Sequence, residues 1–498
     1  MIKTLSQWLG LGLLFLLAGC QAGLRSNVEA ALTNPDQTGI RWGLVVADMD
    51  GTELLAVKPE DRFTPASNTK IVTTMAAYHH LAALTDPARN PGTQVFLVRA
   101  TDRGPPNLIL RGGGDAMLTD ATDCESTCLA TLADAVAAFG IEAVGTLIGD
   151  DTLFPNERWG PGWSQEDLQY HYGTAVSALS VNDNLVWLDL APGARVGHPA
   201  RLQWQDGDAY FNLFNQVITT AAETPRTVRV ERLPGADRVR VYGNLPIDQT
   251  PFELRLAVDN PAELAALRMQ GLLEARGISV DAIATRHRPL RLIDEAPDEV
   301  AEATRADLIA HPIAAPNEAI ATLAPAPLTD SLKRISKDSQ NLHAELALRR
   351  LGLLEGTGSR DFGVAALEAF LDEAGLSELG YAFHGGSGMS IYNRISPRSM
   401  VQLLAFAARQ PWFEAWLADQ PIGGIDGSLE RRFVGTPLEG KIFAKTGTLN
   451  GANALSGMMI AESGRELLFS IIANDRPATT RSAMAEMDAA LNVIAAAY

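Results

Sequence analysis

Pro65-Ala66-Ser67-Asn68-Thr69-Lys70-Ile71-Val72 places a serine three residues ahead of a lysine, at the head of an apolar run. In a helix, residues three apart share a face, with Cβ atoms about 5–6 Å apart, so the Lys70 amine can reach the Ser67 hydroxyl. A weak nucleophile beside a base is what covalent catalysis requires. Pro65 and Ser67 are helix-start residues. A helix beginning here and running to about Leu84 would aim free backbone N–H groups and the positive end of its dipole at the serine, as an oxyanion needs. Ser67 could equally be a plain helix cap and Lys70 a solvated side chain, so the reading depends on partners elsewhere.

The chain opens Met-Ile-Lys-Thr and continues into an apolar stretch ending Leu17-Ala18-Gly19-Cys20. The basic start, short apolar core and small-residue end are those of an export signal, too short for a spanning helix. The close resembles the lipobox of bacterial lipoproteins, which implies removal of residues 1–19 and acylation of Cys20. Several acyl chains together anchor stably, at about 0.8 kcal/mol per buried CH₂. The expectation is a tethered protein on the periplasmic side, with residues 20–38 as the tether. Gln21 resembles residues tolerated by outer-membrane sorting in Gram-negative bacteria.

The 498 residues suffice for several domains, and 46% hydrophobic with 20% charged residues is ordinary for a globular protein. A net charge of −18 argues against nucleic acid as a partner, because phosphate binding needs basic patches. Besides Cys20 there are only Cys124 and Cys128. In an exported protein this close pair suggests a small disulfide, or two reduced thiols on one helical face, in preference to a zinc site.

Ile40 to Asp48 reads as a strand turning at Asp50-Gly51 into a hairpin partner at 53–57. Residues 93–287 change to short strands and Gly/Pro turns, with helices near 125–139 and 262–276, and read as a β-rich insertion of one or two subdomains. Gly112-Gly113-Gly114 lacks the spacing of a phosphate loop and reads as a strand-end turn. Residues 288–317, rich in Pro, Ala and acidic side chains, read as a linker. A strand at 319–323 would re-enter the main domain, built from 39–92 and 318–498.

Ser67 finds its partners after that linker. Ser339-Gln340-Asn341 lies in a turn flanked by helical sequence, and Lys445-Thr446-Gly447 begins further on, within an apolar strand. S-x-x-K, S-x-N and K-T-G in this order form the signature of penicillin-binding proteins and serine β-lactamases. The wider sequence resembles the D-alanyl-D-alanine carboxypeptidase/endopeptidases, low-molecular-mass class C penicillin-binding proteins. The stretches carrying the resemblance are 110–115, 178–184, 339–345, 386–393, 424–429 and 444–449. Ser180-Val181-Asn182 is also S-x-N, but in the family it belongs to the insertion. Where the family has Asp-Gly-Ser-Gly-Leu-Ser-Arg, this chain has Gly385 and Ile391 at the charged ends, which implies altered hydrogen bonding at the rim and a changed substrate range.

The resemblance implies an α+β fold. A penicillin-recognising, serine transpeptidase-like domain, an antiparallel sheet with helices on both faces, is split by the β-rich insertion. It implies that Ser67 attacks the bond between two D-alanines of a peptidoglycan stem peptide and is acylated. Lys70 would be the base, kept neutral by burial and by Lys445. Ser339 would relay the proton, and Asn341 would hold the substrate amide and Lys70. The N–H groups of Ser67 and Thr448 would form the oxyanion hole, and Lys445, Thr446, Gly447 and Thr448 the substrate-binding strand. A second action on peptide cross-links, covalent inhibition by β-lactams, and no metal or organic cofactor are also implied.

Three rivals remain. A class A β-lactamase has its first two motifs much closer together. A Ser-His-Asp hydrolase could use Ser387 with His343 or His384, but the last glycine of G-x-S-x-G is missing. A non-catalytic peptidoglycan-binding scaffold is opposed by the intact Ser67, Lys70, Ser339, Asn341 and Lys445. Trp163, Tyr170 and Tyr172 could line a glycan surface, although packing is the simpler role.

Overall fold

The computed structural model describes residues 23–33, 38–98, 104–205, 210–290, 318–477 and 482–498. Cys20, the expected signal segment and residues 291–317 of the expected linker lie outside these. Among the described residues no helix is long and apolar enough to cross a membrane. The chain divides into two compact units. One holds Met1–His79, Lys333–Ser339 and Leu367–Tyr498, the other His80–Leu332 and Gln340–Ala366.

The first unit is built on an antiparallel five-stranded sheet. Strands are numbered in chain order, and its members are β1 (Arg41–Asp48), β2 (Glu53–Val57), β16 (Ile442–Leu449), β17 (Ala452–Ile460) and β18 (Glu466–Asn474), in the order β16-β17-β18-β1-β2. A two-stranded pair, β14 (Tyr381–Ala382) with β15 (Arg394–Ile395), stands apart. Both faces of the main sheet are covered, so β17 and β18 are buried along nearly their whole length. Successive side chains of β1 point to opposite faces. Leu44 and Val46 join Phe469, Ile471 and Leu455 in a core closed by Met487, Leu491 and Ile494 of the C-terminal helix. On the other face Gly43 lies under Phe63 and Pro397, where a Cβ would sit 2.4 Å from the ring. Each Leu, Ile or Phe so buried stabilises the unit by about 1.5–3 kcal/mol.

Residues 23–31 depart from the expected tether by forming a helix. Leu24, Val28 and Leu32 recur every four residues, giving an apolar stripe, and Val28 and Leu32 are buried in the same core.

Among the described residues the second unit contains three sheets. The largest has the order β12-β5-β4-β3-β13, from β3 (Thr93–Val98), β4 (Asn107–Arg111), β5 (Ala143–Pro155), β12 (Ser279–Arg288) and β13 (Ala321–Leu323). Its β12–β5 and β4–β5 pairs are parallel, and helices Leu129–Ala138 and Pro261–Glu274 share its core through Leu132, Val136, Leu264 and Met269. A second sheet has β6 (Leu185–Ala191) between β11 (Phe252–Ala257) and β7 (Arg201–Trp204), all antiparallel. The third is β8 (Asn212–Thr220), β10 (Arg238–Pro246) and β9 (Arg229–Glu231), with β10 in the middle.

This unit differs from the expected insertion in extent. Strand β13 pairs with β3 inside it and does not re-enter the main domain. Helix Asn341–Leu351 also belongs to it, placing Leu342 and Leu346 against Phe154, Val176 and Ala178. A three-residue strand is half-buried wherever it docks, so its partner is set by a long-range pairing that local pattern does not encode. Gly112 presses against the backbone of Ala178 and Leu179, and Gly114 N–H donates to the Ala178 carbonyl at 2.8 Å. The triple glycine is therefore a close backbone crossing at a strand end. Cys124 and Cys128 are joined by a disulfide.

Candidate active site

Ser67 lies in a 3₁₀ turn, Ala66–Asn68, immediately before helix Thr69–His79. The expected helix thus begins two residues after the serine, because Ala66 takes a left-handed φ of 49°. It ends at His79, where His80 leaves helical geometry, and resumes only as the short Leu81–Leu84. Lys70 occupies the first turn, fully buried, and its Nζ donates to Ser67 Oγ at 2.9 Å and to the Ser387 carbonyl at 2.5 Å.

That carbonyl comes from the loop 384–393, which wraps the start of the helix. Thr73 Oγ1 donates to the Gly386 carbonyl at 2.7 Å, and Asn393 Nδ2 donates to Thr69 Oγ1 at 3.1 Å. Gly388, with a φ of 86°, passes so close that a Cβ would lie 1.9 Å from the Ala66 carbonyl oxygen. Only glycine fits there. Ser387 has no exposed surface and its Oγ accepts from Met389 N–H, so it is unavailable as a nucleophile. Ile391 and Tyr392, by contrast, are half exposed.

Ser339 ends the segment Lys333–Ser339 of the first unit with a left-handed φ of 59°. Its Oγ accepts from Lys445 Nζ at 2.9 Å. Lys337, two residues earlier, donates to both Asp426 oxygens (2.8 and 2.6 Å) and to the Gln420 carbonyl (2.6 Å). The neighbouring Ser428 accepts from Thr446 Oγ1 at 2.7 Å. The 420–428 turn therefore ties the serine segment to β16. Gly447 on β16 runs against the nucleophile turn, 2.5 Å from its Cβ position to the Pro65 carbonyl. Asn68, in the amide orientation that satisfies its neighbours, donates to the Lys445 carbonyl at 2.7 Å. Thr448 is exposed and its hydroxyl accepts from Asn453 at 3.3 Å.

Lys445 is buried, and loss of hydration pushes its ammonium down to about 7. Burial disfavours the charged form, so near neutrality this amine can exist in either state.

Ser67, Lys70, Ser339 and Lys445 are thus brought together in the first unit. Asn341 belongs to the second, at the start of its helix. Its Nδ2 donates to the Tyr172 carbonyl at 2.7 Å, and Gln340 caps the helix by accepting from Leu342 N–H at 3.1 Å. His343 is buried between Asp183 (2.8 Å) and Ser331 (2.9 Å), a packed structural histidine. Tyr170 and Tyr172 stack at 5.7 Å. Ser180 and Asn182, the second S-x-N, bond within this unit to Ser177 and Asp120. Among the described residues no group of three or more His, Cys, Asp or Glu could hold a metal.

Sequence reasoning did not find the Ser387 carbonyl, Gly388 or the Lys337–Asp426 link. The available signal was the glycine pair flanking Ser387, which marks a tight backbone approach.

Compared with known proteins, residues 24–496 match the profile of the D-Ala-D-Ala carboxypeptidase 3 (S13) family. A D-alanyl-D-alanine carboxypeptidase of Actinomadura sp. (strain R39) is 32% identical over 467 residues, covering 91% of this chain and 81% of that protein. The D-alanyl-D-alanine carboxypeptidase DacB of Haemophilus influenzae is 25% identical over 369 residues, 73% of this chain and 71% of the relative. The crystal structure of penicillin binding protein 4 from H. influenzae superposes with a TM-score of 0.75 at 22% identity, covering 94% of this chain and 98% of that one. The fold is accordingly a penicillin-recognising domain with a β-rich insertion.

Proposed function

Since the chain belongs to the D-Ala-D-Ala carboxypeptidase 3 (S13) family, we propose that it is a serine D-alanyl-D-alanine carboxypeptidase that also cleaves peptide cross-links, acting on peptidoglycan through an acyl-enzyme on Ser67. The observation that carries this reading is the pair of 2.9 Å contacts, Lys70 to Ser67 and Lys445 to Ser339. Two lysine–serine couples supply a nucleophile with its base and a second hydroxyl able to pass a proton.

Ser67 Oγ attacks the carbonyl of the penultimate D-alanine while Lys70, neutral at that moment, takes its proton. The negative charge developing on the carbonyl oxygen is met by the N–H groups of Ser67 and Thr448, each donor worth about 3–4 kcal/mol. Collapse breaks the amide C–N bond, and the proton passes through Ser339 to the departing amine, so D-alanine leaves. Water then attacks the ester, Lys70 takes its proton, and Ser67 is restored. Charged Lys445, with Thr446 and Thr448, pairs with the terminal carboxylate of the substrate. A β-lactam opened by Ser67 leaves an ester on the same oxygen.

The Cys20 lipid anchor, and with it a place on the periplasmic face of a Gram-negative outer membrane, belongs to this proposal. Metabolic labelling with a palmitate analogue, lost in Cys20→Ser, tests it. The catalytic reading is tested by D-alanine release from a tripeptide ending in D-Ala-D-Ala. Wild type should release it and Ser67→Ala should not; release by both, or by neither in folded protein, refutes it.

A further inference from the structure

The sheet β11-β6-β7 of the second unit carries a trough of about 600 Å³ on its outer face. Side chains alternate along β6, so Asp189 and Ala191 face outward while Leu188 and Leu190 are buried in the core. The flanking strands raise walls on both sides. Gln203 and Arg201 of β7 stand opposite Asp189 and Ala191, and Glu253 of β11 stands opposite Asp189 from the other side, with Pro251 beyond it. The alanine methyl leaves the middle of the floor low. One step back on the same face is Trp187, half-buried, with the exposed Arg255 across from it. Gln205 Nε2 joins the two carboxylates, donating to Asp189 at 2.8 Å and to Glu253 at 3.3 Å.

The chemistry of this lining is mixed. Amide and guanidinium donors, carboxylate acceptors and strand backbone surround a small apolar floor at Ala191. A concave site of this kind suits a ligand rich in both hydroxyl and amide groups. Asp189 and Glu253 share the concavity with Arg201, so the lining carries both signs of charge and suits a neutral ligand that both donates and accepts hydrogen bonds. Neutral N-acylated amino sugars satisfy the donors and acceptors without adding charge, and their apolar ring faces can lie over the Ala191 floor.

The trough also has a direction. Beyond Arg255, β11 continues to Leu256, which forms a bridge with Tyr170. Tyr170 precedes the short turn His171–Gly173, whose Tyr172 carbonyl holds the Asn341 amide. A chain lying along β6 therefore runs toward the turn whose Tyr172 carbonyl accepts from Asn341.

We infer that this trough is a glycan-binding site, taking a short run of N-acylated amino sugars from a neighbouring stretch of the polymer whose peptides the enzyme trims. The inference rests on the proposed peptidoglycan substrate, but its residues belong to the second unit and Ser67 to the first. It deepens that reading by giving the enzyme a hold on the sugar strand.

The test titrates the purified full chain with tetra-N-acetylchitotetraose by calorimetry, and separately with a sugar-free stem tripeptide. Two variants accompany it, Ala191→Arg, which fills the floor, and Gln203→Ala, which removes a wall donor. Labelling by a fluorescent penicillin is measured on every sample. The account expects saturable oligosaccharide binding that weakens by roughly tenfold or more in both variants. Penicillin labelling and tripeptide turnover should stay as in wild type, while D-alanine release from intact wall sacculi falls. Gln203 is exposed and Ala191 partly so, and retained labelling shows that the variants are folded. No oligosaccharide binding, or binding unchanged in Gln203→Ala, overturns the inference. Competition by the stem tripeptide at the trough would overturn it in favour of a peptide site. Glycan binding by a chain that is not labelled would refute the catalytic reading and leave this one standing.

Discussion

Replacing Gly388 by alanine should slow acylation of Ser67 without removing a single catalytic group. The residue has a φ of 86°, and the added Cβ would meet the Ala66 carbonyl oxygen at 1.9 Å, its carbon at 2.4 Å and the Ser67 nitrogen at 3.0 Å. A left-handed alanine costs about 1–2 kcal/mol, and forcing atoms into a packed contact costs about 1–3 kcal/mol more. The strain is relieved only by moving backbone, because both partners are backbone. Either the Ala66–Ser67 turn shifts, carrying the nucleophile, or the 386–388 loop withdraws, taking the Ser387 carbonyl from Lys70. A displacement approaching 1 Å costs on the order of 10²-fold in rate. The assay is the second-order rate of labelling by a fluorescent penicillin, with circular dichroism to confirm folding. A folded Gly388→Ala chain labelled within roughly threefold of the wild-type rate would refute the argument, since a threefold change is under about 1 kcal/mol of transition-state stabilisation.

Further outcomes can be checked with the same reagents. Ser387→Ala should keep its label, because that hydroxyl is fully buried and bonded to its own loop; loss of label in folded protein would restore the rival nucleophile. Asp426→Ala leaves Lys337 without its carboxylate partner and frees the Ser339 segment, so labelling should slow by about tenfold, with Asp426→Glu recovering part of the rate. For Lys445, burial lowers the pKa from 10.5 to about 7. Between those values the unfolded chain holds a proton that the folded chain has lost, so this group's contribution to stability rises with pH across that window. Activity moves the other way. Binding a substrate carboxylate needs the charged amine, so kcat/KM for a D-Ala-D-Ala peptide should fall on the alkaline side of about pH 7, and Lys445→Met should abolish that limb.

How much of this was legible in the sequence differs from residue to residue. Ser67, Lys70, Ser339 and Lys445 were readable because short spacings on a helix start, a turn and a strand leave a side-chain signature, and the structure does assemble these four. The support around Lys70 was not, because Ser387 acts through its backbone carbonyl, and a carbonyl has no residue type. Gly388 was visible as a glycine but not as a clash with Ala66. Helix Thr69–His79 was anticipated, yet the left-handed Ala66 that moves Ser67 into a 3₁₀ turn was not, since alanine gives no hint of that conformation. Ala321–Leu323 was read as a strand of the wrong unit, because a short strand with an exposed Thr322 between two half-buried residues suits either sheet edge. The helix at 23–31 was overlooked in polar surroundings, although Leu24, Val28 and Leu32 mark one face. The family resemblance supplied the β-rich insertion, and its outer limits depended on contacts such as Leu342 with Phe154 that lie far apart in the chain.

The central claim is that Ser67 becomes acylated, and intact-mass spectrometry followed by peptide mapping tests it most directly. After brief incubation with benzylpenicillin, the account predicts one added penicilloyl group per chain, located on the peptide containing Ser67 and absent from Ser67→Ala. An adduct on another residue, or hydrolysis of the antibiotic by folded protein with the Ser67→Ala variant equally active, would contradict it.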